Sequence, residues 1–138
     1  MFETILTALD GSEHDTKALV ATAELAKLNE ATVRIVHVRE GDFVGRAGFI
    51  AREDNEGASA LVDHAVATLV ASGAKASGTV RSSLPNLVAR EILDEAHDCG
   101  ASVIVMGARG LSDLKGLLFG SNTHKVLHLG HLPVLIIR

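Results

Sequence analysis

Tryptophan and tyrosine are absent from this 138-residue chain, and phenylalanine occurs four times. Aromatic surfaces on which bases or a flavin ring could stack are therefore scarce, and the core has to be aliphatic. Positive charge is not in surplus either: 13 Lys and Arg against 17 Asp and Glu leave a formal charge of −4, which argues against a nucleic-acid partner or an anionic membrane surface. No unbroken apolar segment is long enough for a membrane span. Met1-Phe2-Glu3-Thr4-Ile5 lacks the basic and apolar regions of a signal peptide. A soluble cytoplasmic protein is the expectation. A single cysteine, Cys99, excludes an internal disulfide and a Cys-pair redox or metal motif, and reads as a small filler near a helix end. Seven histidines are present, with His124 and His128 four apart on a predicted helix. No carboxylate or cysteine at matching spacing accompanies them, so solvated histidines are favoured over a metal site.

What the chain has is aliphatic residue in periodic runs. With 47% hydrophobic residues there is material for one substantial core, and a single domain over residues 1–138 follows. Thr4 to Leu9 is a short apolar run closed by Asp10-Gly11-Ser12. Ala18, Leu19, Thr22, Leu25 and Ala26 then fall on one helical face. Ser12 and Asp15 have the spacing of a capping box at the start of that helix. Thr32 to Val38 is β-branched and suits a central strand. Gly41 to Asn55 carries three glycines, mixed charges and no period, and is expected to be a flexible loop. A helix is predicted from near Glu53 to Ser72, a weak strand over Lys75 to Arg81, and a helix from Ser83-Leu84-Pro85 to Gly100. A strand over 102–106, a helix from Ser121 to about Leu129 and a last strand from Pro133 to Ile137 complete the chain. Strands alternating with helices predict an α/β fold, an open doubly wound parallel sheet of five strands with helices on both faces. Ligands in such sheets settle beyond the carboxyl ends of the strands. Asp10, Val38 and Gly107 all lie at such ends.

The apolar run Ala101 to Met106 leads into Gly107, two residues, Gly110, nine residues and Gly120-Ser121. This reads as a strand entering a glycine-hinged loop that returns to a helix at Ser121, so that backbone N–H groups from both loop ends converge on one anion. Gly107 and Gly110 permit positive φ or close approach, and Ser121 can cap the helix or donate its hydroxyl to a phosphate. Taken alone, the glycines are equally compatible with a plain turn. Four donors to a charged group supply on the order of 6–12 kcal/mol before association costs. Micromolar affinity, about −8 kcal/mol, therefore needs contacts to sugar and base as well. Asp10 can accept from a ribose hydroxyl or act as a helix N-terminal carboxylate, and Val38 offers an apolar wall. The P-loop and dinucleotide fingerprints are absent, which disfavours a P-loop enzyme or a dehydrogenase. A response-regulator receiver would need an acidic pair after the first strand, and a flavodoxin would need aromatic residues.

Met106-Gly107-Ala108-Arg109-Gly110-Leu111-Ser112, the nine-residue spacing to Gly120-Ser121, the opening Leu6 to Ser12 and the closing Pro133 to Ile137 resemble the ATP-binding branch of the universal stress protein family over the whole chain. That resemblance implies an adenine nucleotide alpha hydrolase-like fold with strand order 3-2-1-4-5. It implies ATP phosphates held by Gly107, Arg109, Gly110, Ser121, Asn122 and Thr123 beside Gly120, with Ala8, Asp10, Val38 and Met106 around adenosine. Ala8 stands where the family usually has proline, and Asn122 replaces a common small apolar residue. The resemblance further implies a homodimer through residues 133–138, which an apolar edge strand also invites on its own account. The expected function is an ATP-dependent stress-response binding module whose nucleotide changes the 41–55 segment and recognition of another protein, with Mg²⁺ left open. The alternative is a slow ATP hydrolase or self-phosphorylating protein. For that, the glycine loop offers only Asp113 as a carboxylate.

Overall fold

Strand β1 (Thr4–Leu9) has every residue from Ile5 to Leu9 buried, as befits a strand covered on both faces. The computed structural model describes residues 1–108 and 121–138. Within these, β1 leads to α1 (His14–Asn29), β2 (Thr32–Val44), β3 (Gly48–Ala51), α2 (Asn55–Ala71), β4 (Lys75–Ser83), α3 (Val88–Asp98), β5 (Val103–Gly107), α4 (Ser121–Leu129) and β6 (Val134–Ile137).

The parallel strands lie in the order β4-β2-β1-β5-β6, which is 3-2-1-4-5 when parallel strands alone are numbered. Two aliphatic layers sandwich this ladder. Ile5, Val33, Ile35 and Val105 pack on one face with Val62 and Leu69 of α2. Leu6, Val36, Val38, Ile104 and Met106 pack on the other with Ile92 of α3 and Val126 of α4. Gly78 of β4 lies so close under α2 that a Cβ there would collide with Val62 Cγ1, and the weak strand is in fact nine residues long. On the α3 side, Glu95 is buried and accepts from Arg34 Nε and Arg81 Nε, each at 2.7 Å.

The expectation of five strands and a flexible loop over 41–55 is corrected by a sixth strand. β2 runs on through Val44, and the chain turns over a 3-10 turn at Gly45–Ala47 and returns antiparallel as β3. Gly45 and Gly48 have φ of 44° and 77°, the left-handed values a tight hairpin turn requires. Gly41 faces the Ile50 carbonyl so closely that no Cβ would fit. Phe43 and Phe49 pair edge to face with centroids 6.0 Å apart. This hairpin projects from the sheet with Phe43, Val44 and Ile50 exposed, so its side chains follow no core-facing period that the sequence could display.

The start of α3 at Val88 lies later than the predicted Ser83-Leu84-Pro85, while α2 starts close to the predicted Glu53. α2 begins at Asn55 because the Asp54 carboxylate accepts from Gly57 N–H at 2.5 Å. Ser83 closes β4, and Pro85–Leu87 makes a 3-10 turn before α3. No helix of the described residues is long and apolar enough to cross a membrane.

Candidate functional site

The carboxyl ends of β1 and β5, the middle of β2 and the first turn of α4 surround a cavity of about 480 Å³, a size that suits a small-molecule ligand. Its floor is apolar: Ala8 from β1, Val36 and Val38 from β2, Met106 from β5, and Val88 and Ile92 from α3. All six are buried. Asp10, Gly107, Ser121, Asn122 and Thr123 join the lining with polar side-chain or backbone groups. The first N–H groups of α4 have no acceptor within the helix, and the three residues that carry them border the cavity. Eight of the eleven residues singled out from sequence, drawn from four separated segments, are thereby brought together. The other three, Arg109, Gly110 and Gly120, lie outside the described residues, as does Asp113.

Of the two possibilities for Gly107, positive φ or close approach, the structure has the second, because a Cβ would sit 3.0 Å from His14 Cβ at the start of α1. One local role differs from expectation. Asp15 does not close a capping box on Ser12. Its carboxylate instead accepts from Asp10 N–H at 3.2 Å and Gly11 N–H at 2.8 Å, while Asp10 Oδ1 accepts from Ser12 N–H at 2.9 Å. Burial pushes the Asp15 carboxyl up to about 6, against the two amide donors that favour its ionised form, and the neighbouring Asp10 charge pushes it the same way as burial. The amides of the β1–α1 turn are thus occupied by the protein's own carboxylate.

Sequence reasoning missed His37, Glu40, Arg52 and Glu53, which also line the cavity. His37 is 4% exposed and bridges the Leu9 carbonyl oxygen (Nδ1, 2.8 Å) and Glu53 Oε1 (Nε2, 2.5 Å). A histidine set between Val36 and Val38 of a buried strand has to find polar partners, and that placement was the available signal. Arg52 reaches Glu40 at 3.2 Å and Asp42 at 3.4 Å. Outside the cavity, Cys99 ends α3 half-buried, and burial pushes its thiol up. His124 and His128 stack in parallel with centroids 6.5 Å apart. Among the described residues no group of three His, Cys, Asp or Glu side chains is placed to hold a metal ion.

The model of the universal stress protein family matches residues 1–138. The chain is 34% identical, over an alignment of 151 residues spanning all of both sequences, to universal stress protein YxiE of Bacillus subtilis. Its fold is similar to that of a universal stress protein from Archaeoglobus fulgidus, with a TM-score of 0.80 and 27% identity over the full length of both chains. It is also similar in fold, with a TM-score of 0.73 and 23% identity over 100% of this chain and 98% of the other, to an Archaeoglobus fulgidus universal stress protein solved in complex with dAMP.

Proposed function

The chain belongs to the universal stress protein family, and from that premise we propose that it is an ATP-binding member acting as a nucleotide-dependent regulatory module of the cytoplasmic stress response. The observation that carries this reading is the cavity itself, in which an apolar lining from β1, β2, β5 and α3 meets the first turn of α4. Ala8, Val38 and Met106 take the base and Asp10 a ribose hydroxyl. The phosphates lie against Gly107, Ser121, Asn122 and Thr123, joined by Arg109, Gly110 and Gly120. The dAMP complex of a protein with this fold supports an adenine nucleotide as the ligand class.

The occupied β1–α1 turn supports the same placement, because Asp15 already takes the Asp10 and Gly11 amides and leaves the α4 side for the phosphates. Binding rather than turnover is the role we assign. Two of the carboxylates at the cavity have partners of their own, Asp15 in the turn and Glu53 on His37. Two copies pair through residues 133–138, since β6 is bonded to β5 on one edge and Leu135 is 39% exposed.

Isothermal titration with ATP, ADP and AMP tests the reading. A saturable heat with a dissociation constant of about 1 μM, near −8 kcal/mol, is expected for at least one of them. A folded protein that gives no saturable heat with any of the three refutes it. Sedimentation equilibrium reads the dimer separately.

A further inference from the structure

A second cavity, of about 440 Å³, lies between α1 and α2, and the nucleotide reading makes no use of it. Its volume is in the range of small-molecule sites. Both helices rest on the same face of the sheet, and the short side chains of Ala23 and Ala65 leave the space between them open. Leu19 and Val20 of α1 and Leu61 of α2 supply the larger apolar walls. Leu19 and Leu61 are half-buried and Val20 is 57% exposed, so the groove can be entered from solvent.

The polar groups of the lining have already committed most of their hydrogens. Gly11 N–H donates to Asp15 at 2.8 Å and Ser12 N–H to Asp10 at 2.9 Å. The Thr68 hydroxyl donates to the His64 carbonyl oxygen at 2.9 Å, and the Ser72 hydroxyl to that of Leu69 at 2.6 Å. What remains toward a ligand is acceptors: hydroxyl lone pairs and the carboxylates of Asp15 and Glu24, which also line the groove. Thr16 and His64 can serve either way. Among the described residues no Lys or Arg lines the groove, and none forms an ion pair with Asp15 or Glu24. The two amides on Asp15 take one site on each carboxylate oxygen and leave the others. A carboxylate drawn partly out of water beside an apolar wall attracts a cation more strongly than one in open solvent, and repels an anion.

We propose that the groove between α1 and α2 binds a small hydrophobic amine, its alkyl body among Leu19, Val20 and Leu61 and its ammonium on Asp15. The site stands or falls separately from the nucleotide site.

The probe is n-octylamine, with 1-octanol and octanoate as neutral and anionic controls of the same chain. Measurements at about pH 8 keep Asp15, whose carboxyl is pushed up to about 6, ionised and the amine protonated. An NMR titration of the wild type is expected to show saturable octylamine binding with a dissociation constant of about 0.1 mM, within reach of a ligand this small. Octanol should bind roughly tenfold more weakly, as fits one hydrogen bond to a charged group, and octanoate more weakly still. Intermolecular NOEs should join the octyl chain to the methyl groups of Leu19, Val20 and Leu61. Asp15→Asn should bring octylamine to the affinity of octanol, and Ala23→Leu, which fills the groove, should weaken octylamine binding at least about tenfold while urea titration shows the fold intact. The charge series and the NOEs are read on the wild type and need no variant that folds. Octanol or octanoate binding as tightly as octylamine overturns the proposal. So do NOEs to Val38 and Ile92 of the first cavity in place of the groove, or an Asp15→Asn protein that keeps its preference for the amine. Groove amides that shift with protein concentration alone overturn it as well, since a second copy would then be what covers this face.

Discussion

Replacing Gly78 by alanine tests how closely α2 is seated on the sheet, and so how firmly the segment leading into it, which lines the cavity, is placed. An added Cβ would overlap Val62 Cγ1 and lie 3.0 Å from Val66 Cγ2 and 3.4 Å from Ile35 Cβ. Val62 and Ile35 are buried in the core, so neither has empty space to move into. Overpacking of this kind costs about 1–3 kcal/mol, while losing glycine's freedom in the unfolded chain returns about 0.4–1 kcal/mol. The net expectation is a loss of about 1–2 kcal/mol, or roughly 3–7 °C in Tm for a domain of this size. Val62→Ala alone creates a cavity and costs about 2–3 kcal/mol. In the double variant the new methyl fills part of that space, and the two effects fall short of additivity by at least about 1 kcal/mol. Urea denaturation of the four proteins in this cycle supplies the numbers. A Gly78→Ala protein as stable as wild type, or strictly additive effects, would refute the packing argument.

Two further outcomes concern ionised groups. The Asp15 carboxyl, raised from 3.8 to about 6 mainly by burial, binds its proton more tightly folded than unfolded, so its contribution to stability falls as pH rises from about 4 to about 6 and then stays flat. The full shift is worth about 3 kcal/mol, reduced to about 1–2 by solvent screening at this partly exposed group. The stability difference between wild type and Asp15→Asn, followed from pH 4 to 7 by thermal melts, should trace that slope; a difference independent of pH would count against it. Glu95 behaves oppositely. Its carboxyl, desolvated by burial, is nonetheless held below the usual carboxylate range by Arg34 and Arg81, so its stabilisation is complete above about 4.5 and lost in more acidic solution. Glu95→Gln leaves both guanidinium groups without their buried partner and should cost about 2–4 kcal/mol near neutral pH. A loss below about 1 kcal/mol in urea titrations would show the cluster to be merely superficial.

The parts of the molecule that sequence made legible are those where burial on both faces dictates residue type. Thr4 to Leu9, Thr32 to Val38 and the run ending at Met106 are aliphatic because α1 and α2 cover one side and α3 and α4 the other. Their carboxyl ends could therefore be located, and with them Ala8, Asp10, Val38 and Met106 around one cavity. The hairpin of β2 and β3 escaped because its apolar side chains face solvent. Its glycines, spent on a turn and on the crossing at Ile50, look in sequence like those of a mobile loop. His37 and Glu53 escaped for another reason. They are sixteen residues apart, on a strand and on the lead-in to a helix, and become partners only because the hairpin folds the chain back beside β2.

Asp15 shows why the first turn after β1, where an α/β sheet often offers its phosphate site, is the wrong place for one here. The turn has amides directed at an anion, and the anion they find is Asp15 itself, 2.8 Å from Gly11 N. A phosphate arriving there would have to displace a carboxylate tethered to α1 and would add its charge to those of Asp10 and Asp15. On the α4 side the arrangement is reversed, because the first-turn N–H groups of Ser121, Asn122 and Thr123 lack helical acceptors and their residues border the same cavity. On the proposed reading, with the internal anion at the β1 edge, the anionic end of the ligand goes to α4 and its apolar end to the lining from β1, β2 and α3.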